Sequence, residues 1–174
     1  MKILQSGCLY IFAFCFSILF QGCASTEKIV YYEAIPQSSD NQQIVVTCTG
    51  NFMNTRVFKL DFTFRNNSSD KVIIDPSSIY LLNDNSVIIN KLTFEQTTKL
   101  IVLEGQGYLD ENVVRSALIG RFLEPTTVPP QAAIQGLLMW DGYNLVFPLW
   151  LRINIGNDKF KFKVERQIDQ NTRN

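Results

Sequence analysis

Val57-Phe-Lys-Leu-Asp-Phe-Thr-Phe-Arg65 decides the fold. Phe58, Leu60, Phe62 and Phe64 alternate with Lys59, Asp61, Thr63 and Arg65. A period of two puts four large apolar side chains on one face of a strand and polar groups on the other. Slipping the register by one residue would turn all four outward, so the pairing of this strand is strongly fixed. The same alternation returns near the C-terminus. Leu149, Leu151, Ile153 and Ile155 interleave with Trp150, Arg152 and Asn154, and Phe160, Phe162 and Val164 with Lys161, Lys163 and Glu165. Gly156-Asn157-Asp158 between them reads as a hairpin turn with a wet outer face.

Working outward, 44–49 is short and β-rich, and 66–70 (Asn-Asn-Ser-Ser-Asp) is a turn. Strands are expected at 71–75, 79–82, 87–89 and 133–140, with 98–103 a further strand candidate. Residues 35–43, holding Pro36 and Ser38-Ser39-Asp40-Asn41, read as a loop, and 28–33 as an edge strand. One helix is expected over 111–118, capped by Asp110, stopped at Gly120, with Val114 and Leu118 sharing a face and covering one end of the sheets. About seven to nine short strands with one-sided alternation imply an all-β antiparallel sandwich, a closed barrel being the alternative that periodicity does not separate.

The N-terminus sets the compartment. Lys2 supplies positive charge, and the apolar run 9–20, broken only by Ser17, falls in the ~7–15 residue range of a secretory core and below the ~20 of a membrane span. Phe20-Gln21-Gly22-Cys23 then resembles the lipobox of bacterial lipoproteins, with Phe20 where leucine is usual. The resemblance implies a diacylglyceryl group on Cys23 and cleavage before it. The expected organisation is a signal peptide at 1–22, a lipidated N-terminus, tether and edge strand at 23–43, the sandwich at 44–166, and a polar tail at 167–174.

A second resemblance lies in the strand–turn–strand Phe58-Lys-Leu-Asp-Phe-Thr-Phe-Arg-Asn-Asn-Ser-Ser-Asp-Lys-Val-Ile-Ile-Asp75 and in Val128-Pro-Pro-Gln-Ala-Ala-Ile-Gln-Gly-Leu-Leu-Met-Trp140. Both look like segments of immunoglobulin-like domains in bacterial envelope lipoproteins, with Gln131 where a glycine often follows the proline. That implies an architecture and an envelope setting but no activity, since the fold carries many functions.

The chain has no histidine and a formal net charge of zero. The first fact removes the Ser-His and Cys-His nucleophile systems and the commonest zinc ligand. The second, with no basic stripe, argues against nucleic acid. Four cysteines are present, but Cys8 and Cys15 lie in the leader and Cys23 takes lipid. Cys48, mid-strand, is then alone, expected to be buried and inert. Carboxylates are scattered without a marked pair, Asp84 and Asp158 fall where turns need Asx residues, and Glu104-Gly105-Gln106-Gly107 reads as a connector.

The expectation is therefore a non-enzymatic, lipid-anchored envelope protein, with no catalytic residue, cofactor or metal, acting as a binding or assembly module. Its partners would be the membrane, through the lipid, and another envelope protein or a glycan. Trp140, Tyr143 and Trp150 are the candidate partner-binding face. The alternatives are a carbohydrate-binding module on those aromatics and a carboxylate-based polysaccharide hydrolase. Radiolabelled palmitate fed to expressing bacteria should enter the wild-type chain and be lost in Cys23→Ser; equal labelling of both contradicts the anchor.

Overall fold

A computed structural model describes residues 30–39, 43–105 and 108–167. The leader, Cys23, the tether, Gln106-Gly107 and the tail beyond Gln167 lie outside the described residues. Ten strands and two helices make up the rest: β1 (Tyr31–Ser39), β2 (Ile44–Phe52), β3 (Val57–Asn66), β4 (Val72–Ile74), β5 (Ile79–Leu82), β6 (Lys91–Leu92), α1 (Phe94–Glu104), α2 (Glu111–Leu118), β7 (Thr126–Val128), β8 (Ala133–Asp141), β9 (Leu149–Ile155) and β10 (Asp158–Arg166). Eight strands form one antiparallel sheet in the order β5-β9-β10-β1-β2-β3-β8-β6, and β4 pairs with β7 in a separate ribbon. The chain is mostly antiparallel β, and the large sheet is nearly closed.

The alternating strands place their residues as their period demands. Phe58, Leu60, Phe62 and Phe64 from β3 are buried in one cluster with Leu149, Leu151, Ile153 and Ile155 from β9 and Phe160, Phe162 and Val164 from β10. Ile74 and Val128 of the ribbon join the same core. Gly50 of β2 lies on the core side, where an added Cβ would come 2.5 Å from Leu60 Cδ2, so the large side chains of β3 use its space.

Strand β1 departs from expectation. It runs through the stretch read as a loop, and it lies inside the sheet rather than at an edge. It pairs with β2 only through Tyr31, Tyr32 and Glu33, and with β10 from Tyr32 to Ser39. Pro36 sits past Glu33, where β1 has parted from β2, and beside the register shift between Pro36 and Ser38. A proline is tolerated at such a place because its missing N–H interrupts no second ladder.

The segment 98–103 is helical, not a strand. Thr97, Thr98, Ile101 and Val102 are β-branched and favour strands locally. A complete capping box overrides them: the Thr93 hydroxyl accepts from Gln96 N at 3.2 Å, and Gln96 Oε1 accepts from Thr93 N at 2.9 Å. The α1 face turned inward carries Thr97 and Thr98, so the period-3.6 apolar signal is weak. Residues 87–89 form no strand either; a single bridge joins Ile88 to Leu82. Helix α2 is as expected, with Asp110 accepting from Asn112 N at 2.7 Å and Val114 and Leu118 buried. It covers a side of the sheet rather than an end, in a second apolar cluster with Val57, Leu92, Leu137 and Met139.

Asn66 fastens the end of β3. Buried at 2 % exposure, its Nδ2 donates to the carbonyls of Asp70, Val128 and Pro129, and its Oδ1 accepts from Ser68 N and Oγ. One side chain thus binds the β3–β4 turn to β7. Gln131, at φ 58°, adds a bond from Nε2 to Asn67 O at 2.7 Å, in the left-handed conformation that a glycine meets without strain. Asn66→Asp removes both donors and sets a carboxylate against three carbonyls. It should cost at least about 2 kcal/mol in urea unfolding; a change within about 0.5 kcal/mol, as at an ordinary surface site, contradicts the role.

Candidate functional site

The three aromatics expected on one binding face are not brought together as one. Trp140 is wholly buried, at 0 % exposure. In β8, Leu138 and Trp140 point into the main core while Leu137 and Met139 point the other way, under the helices. Both faces of this strand are covered, so its continuous apolar run carries no phase in the sequence. Tyr143 is exposed on the connection after β8, with the Arg56 guanidinium 5.6 Å from its ring centroid. Trp150 is partly exposed on the outer face of β9. Its Nε1 donates to Asp84 Oδ1 at 3.1 Å, and Lys161 Nζ stands 4.3 Å from its ring centroid.

The surface around Trp150 is built by register. Tyr80, Arg152 and Lys161 fall in one row across β5, β9 and β10, Trp150 pairs with Lys163 in the next, and Asn154 pairs with Lys159 on the other side. Alternation sends all of these outward because Leu149, Leu151, Ile153, Phe160, Phe162 and Val164 take the inner face. A groove of ≈ 580 Å³ is present here, with Tyr80, Arg152, Asn154, Lys159 and Lys161 as its polar lining and Ile88 at its apolar side. Lys163 pairs with Glu165 at 2.7 Å. The ion pairs among the described residues leave Arg152, Lys159 and Lys161 without a carboxylate partner. Such a face offers the ammonium groups of Lys159 and Lys161, the Arg152 guanidinium and an aromatic edge to a ligand with acceptor oxygens.

Two further clefts flank the sheet. One of ≈ 490 Å³ runs over the outer side of β2, β3 and β8 and holds a single carboxylate, Asp61, with Arg121 nearby. The other, ≈ 860 Å³, lies between the β2–β3 turn and the end of α1; its single carboxylate, Glu104, is bonded to the Thr55 hydroxyl. A glycosidase needs two carboxyl groups about 5–10 Å apart in one cleft, and none of these three clefts is lined by two. Asp75 has its carboxyl held below the ordinary range, first by the Ser77 hydroxyl and then by Ser77 N, with Lys91 adding to it. That suits the cap of a single turn, Pro76–Ser78, and is opposite to the raised value of a general acid. No group of three or more acidic or cysteine side chains is placed to hold a metal among the described residues. No described helix is long and apolar enough to cross a membrane.

Cys48 is buried and unbonded, and burial, followed by the charge of Asp61, pushes its thiol well above the usual value. Little thiolate forms and little of the sulfur is reachable. Iodoacetamide at pH 8, followed by peptide mapping, should leave Cys48 unmodified in the native chain and modify it in urea. Native alkylation at the unfolded rate contradicts this packing.

No protein-family model and no curated protein matches the chain. Among solved structures, the yjhA protein from Bacillus subtilis aligns over 64% of this chain and 73% of its own, at 12% identity and a TM-score of 0.45.

Proposed function

We propose that this chain is a lipid-anchored bacterial cell-envelope protein whose immunoglobulin-like sandwich serves as a non-enzymatic binding module. The observation that carries the binding role is the outer face of β5, β9 and β10, where Arg152, Lys159 and Lys161, which form no ion pair with a carboxylate among the described residues, stand beside Tyr80 and a Trp150 held in place by Asp84. Surface charges without partners contribute little to folding, and they remain available to recognise acceptor oxygens of a protein or a glycan. The anchor rests on Gly22-Cys23 behind a short apolar core.

The sandwich reading draws on β1. Its double pairing divides the sheet into a β5-β9-β10 half and a β2-β3-β8-β6 half, whose inner residues share one core. Strands that switch from one sheet to the other make the corners at which two packed sheets join. The non-enzymatic reading draws on the lack of histidine and on clefts holding at most one carboxylate each.

A photo-reactive phenylalanine in place of Tyr80 should give a discrete adduct on irradiation of intact cells. Trp150→Ala and Arg152→Glu should each abolish it. An unchanged adduct in both variants, or no adduct here while the same probe at Val45 gives one, counts against this face.

A further inference from the structure

The strand registers sort the connections of the fold into two ends. At one end lie Val30, where the described chain begins, the 53–56 turn, the 83–90 crossing from β5 to β6, and the 142–148 connection from β8 to β9. The end of α1 joins them, since Thr55 and Glu104 are hydrogen-bonded. At the other end lie the 67–71 turn, the Pro76–Ser78 turn, and the 129–132 and 156–157 turns.

Apolar exposure is distributed unequally between these ends. Tyr31, Met53, Val87, Ile88, Tyr143 and Val146 are all exposed at the first, Val146 at 76 %, and the end of α1 adds Leu103 at 72 %. Among the described residues, the turns of the opposite end carry no exposed large apolar side chain, Ile73 of β4 between two of them being exposed alone; they are built from Asn67, Ser69, Ser77, Gln131 and Asn157, with prolines. Single exposed apolar residues are ordinary on a protein surface, but a concentration of them on the loops of one end marks an interaction surface. The protruding tips are firmly mounted. Tyr32, Phe52, Phe58 and Phe147 close the core beneath them, with Tyr32 stacked on Phe147 at 4.2 Å between centroids. Leu82 is bridged to Ile88.

What covers this end is indicated by the chain that enters it. Six residues separate Val30 from Cys23. Fully extended, that stretch spans at most ~25 Å, less than the ~30 Å length of a nine-residue strand. An anchor at Cys23 would therefore hold this end at the bilayer and keep the other end away. Apolar tips flanked by tyrosines suit the headgroup boundary, where one end of a side chain is dry and the other wet. The charged side chains at this end are of both signs, Arg56 with Asp141 and Asp84 with the Trp150 indole, so the surface requires no anionic lipid.

We propose that this end of the domain is a membrane-seating surface, with Met53, Val87 and Val146 resting in the bilayer interface beside the anchor. It rests on the anchored reading above and adds an orientation to it: the β5-β9-β10 face points sideways, along the membrane, and the polar turns point away. The test is hydrogen–deuterium exchange on the full chain reconstituted into phosphatidylcholine vesicles, comparing wild type with Val87→Ser/Val146→Ser, with palmitate incorporation measured on both. The substituted side chains are exposed, so the fold is retained. Exchange at 53–56, which carries no substitution, should be slower in the wild type than in the variant, with 67–71 and 156–157 equal in the two. Equal exchange at 53–56 in the two proteins overturns the seating even where palmitate is incorporated. Slowing that follows protein concentration rather than lipid assigns the surface to a second copy and also overturns it. Slowing at 53–56 without palmitate removes the lipid anchor and leaves the seating standing.

Discussion

Strand β1 is hydrogen-bonded on both sides, and the rest of the structure depends on it. The only ladder joining β9 and β10 to β2, β3 and β8 among the described residues runs through it: three positions on one side, then a longer stretch on the other. Without β1, the Phe58-Leu60-Phe62-Phe64 face and the Leu149-Leu151-Ile153 face would be two half-cores with no fixed spacing. With it, both bury the same interior, which Ala34 and Tyr32 of β1 join. The constraint is also positional. The strand that joins the halves is the one that continues upstream toward Cys23, so a force on the N-terminus would be delivered to the middle of the sheet.

Much of this was legible in the sequence, and the losses have physical causes. β3, β9 and β10 were readable because each is half-buried, and a half-buried strand writes its pleat as alternation. β8 was readable as a strand but not in its facing, because helices cover its outer side and both phases are apolar; Trp140 went into the core for that reason. β1 was obscured by Pro36, a residue that signals a break only where both neighbouring ladders continue. α1 was obscured by its own chemistry. Its buried face holds Thr97 and Thr98, and its signal lay in the Thr93–Gln96 pair rather than in apolar spacing.

The candidate surfaces divide the same way. Trp150 was visible as an outward residue from the alternation of β9 alone. Its neighbours were not, because Tyr80 and Lys161 come beside it only through the pairing of β5 with β9 and β9 with β10. The apolar end was invisible for a stronger reason. Val87, Tyr143 and Val146 lie on connections far apart in the chain, and become a group only when the registers bring those loops to one end. A surface assembled from separate connections leaves no local pattern to read.

The molecule thus has a polarity: a dry-tipped end where the chain comes in, a wet end opposite, and a cationic, aromatic face along the side between them. Depth of insertion tests that polarity most directly. Nitroxide labels introduced as Val146→Cys and Asn157→Cys, in separate full-length chains on phosphatidylcholine vesicles, can be read by power saturation against membrane-soluble oxygen and a water-soluble nickel chelate. The account predicts that the label at 146 is relaxed mainly by oxygen and the label at 157 mainly by nickel. Equal relaxation at the two positions, or the reverse order, would contradict it.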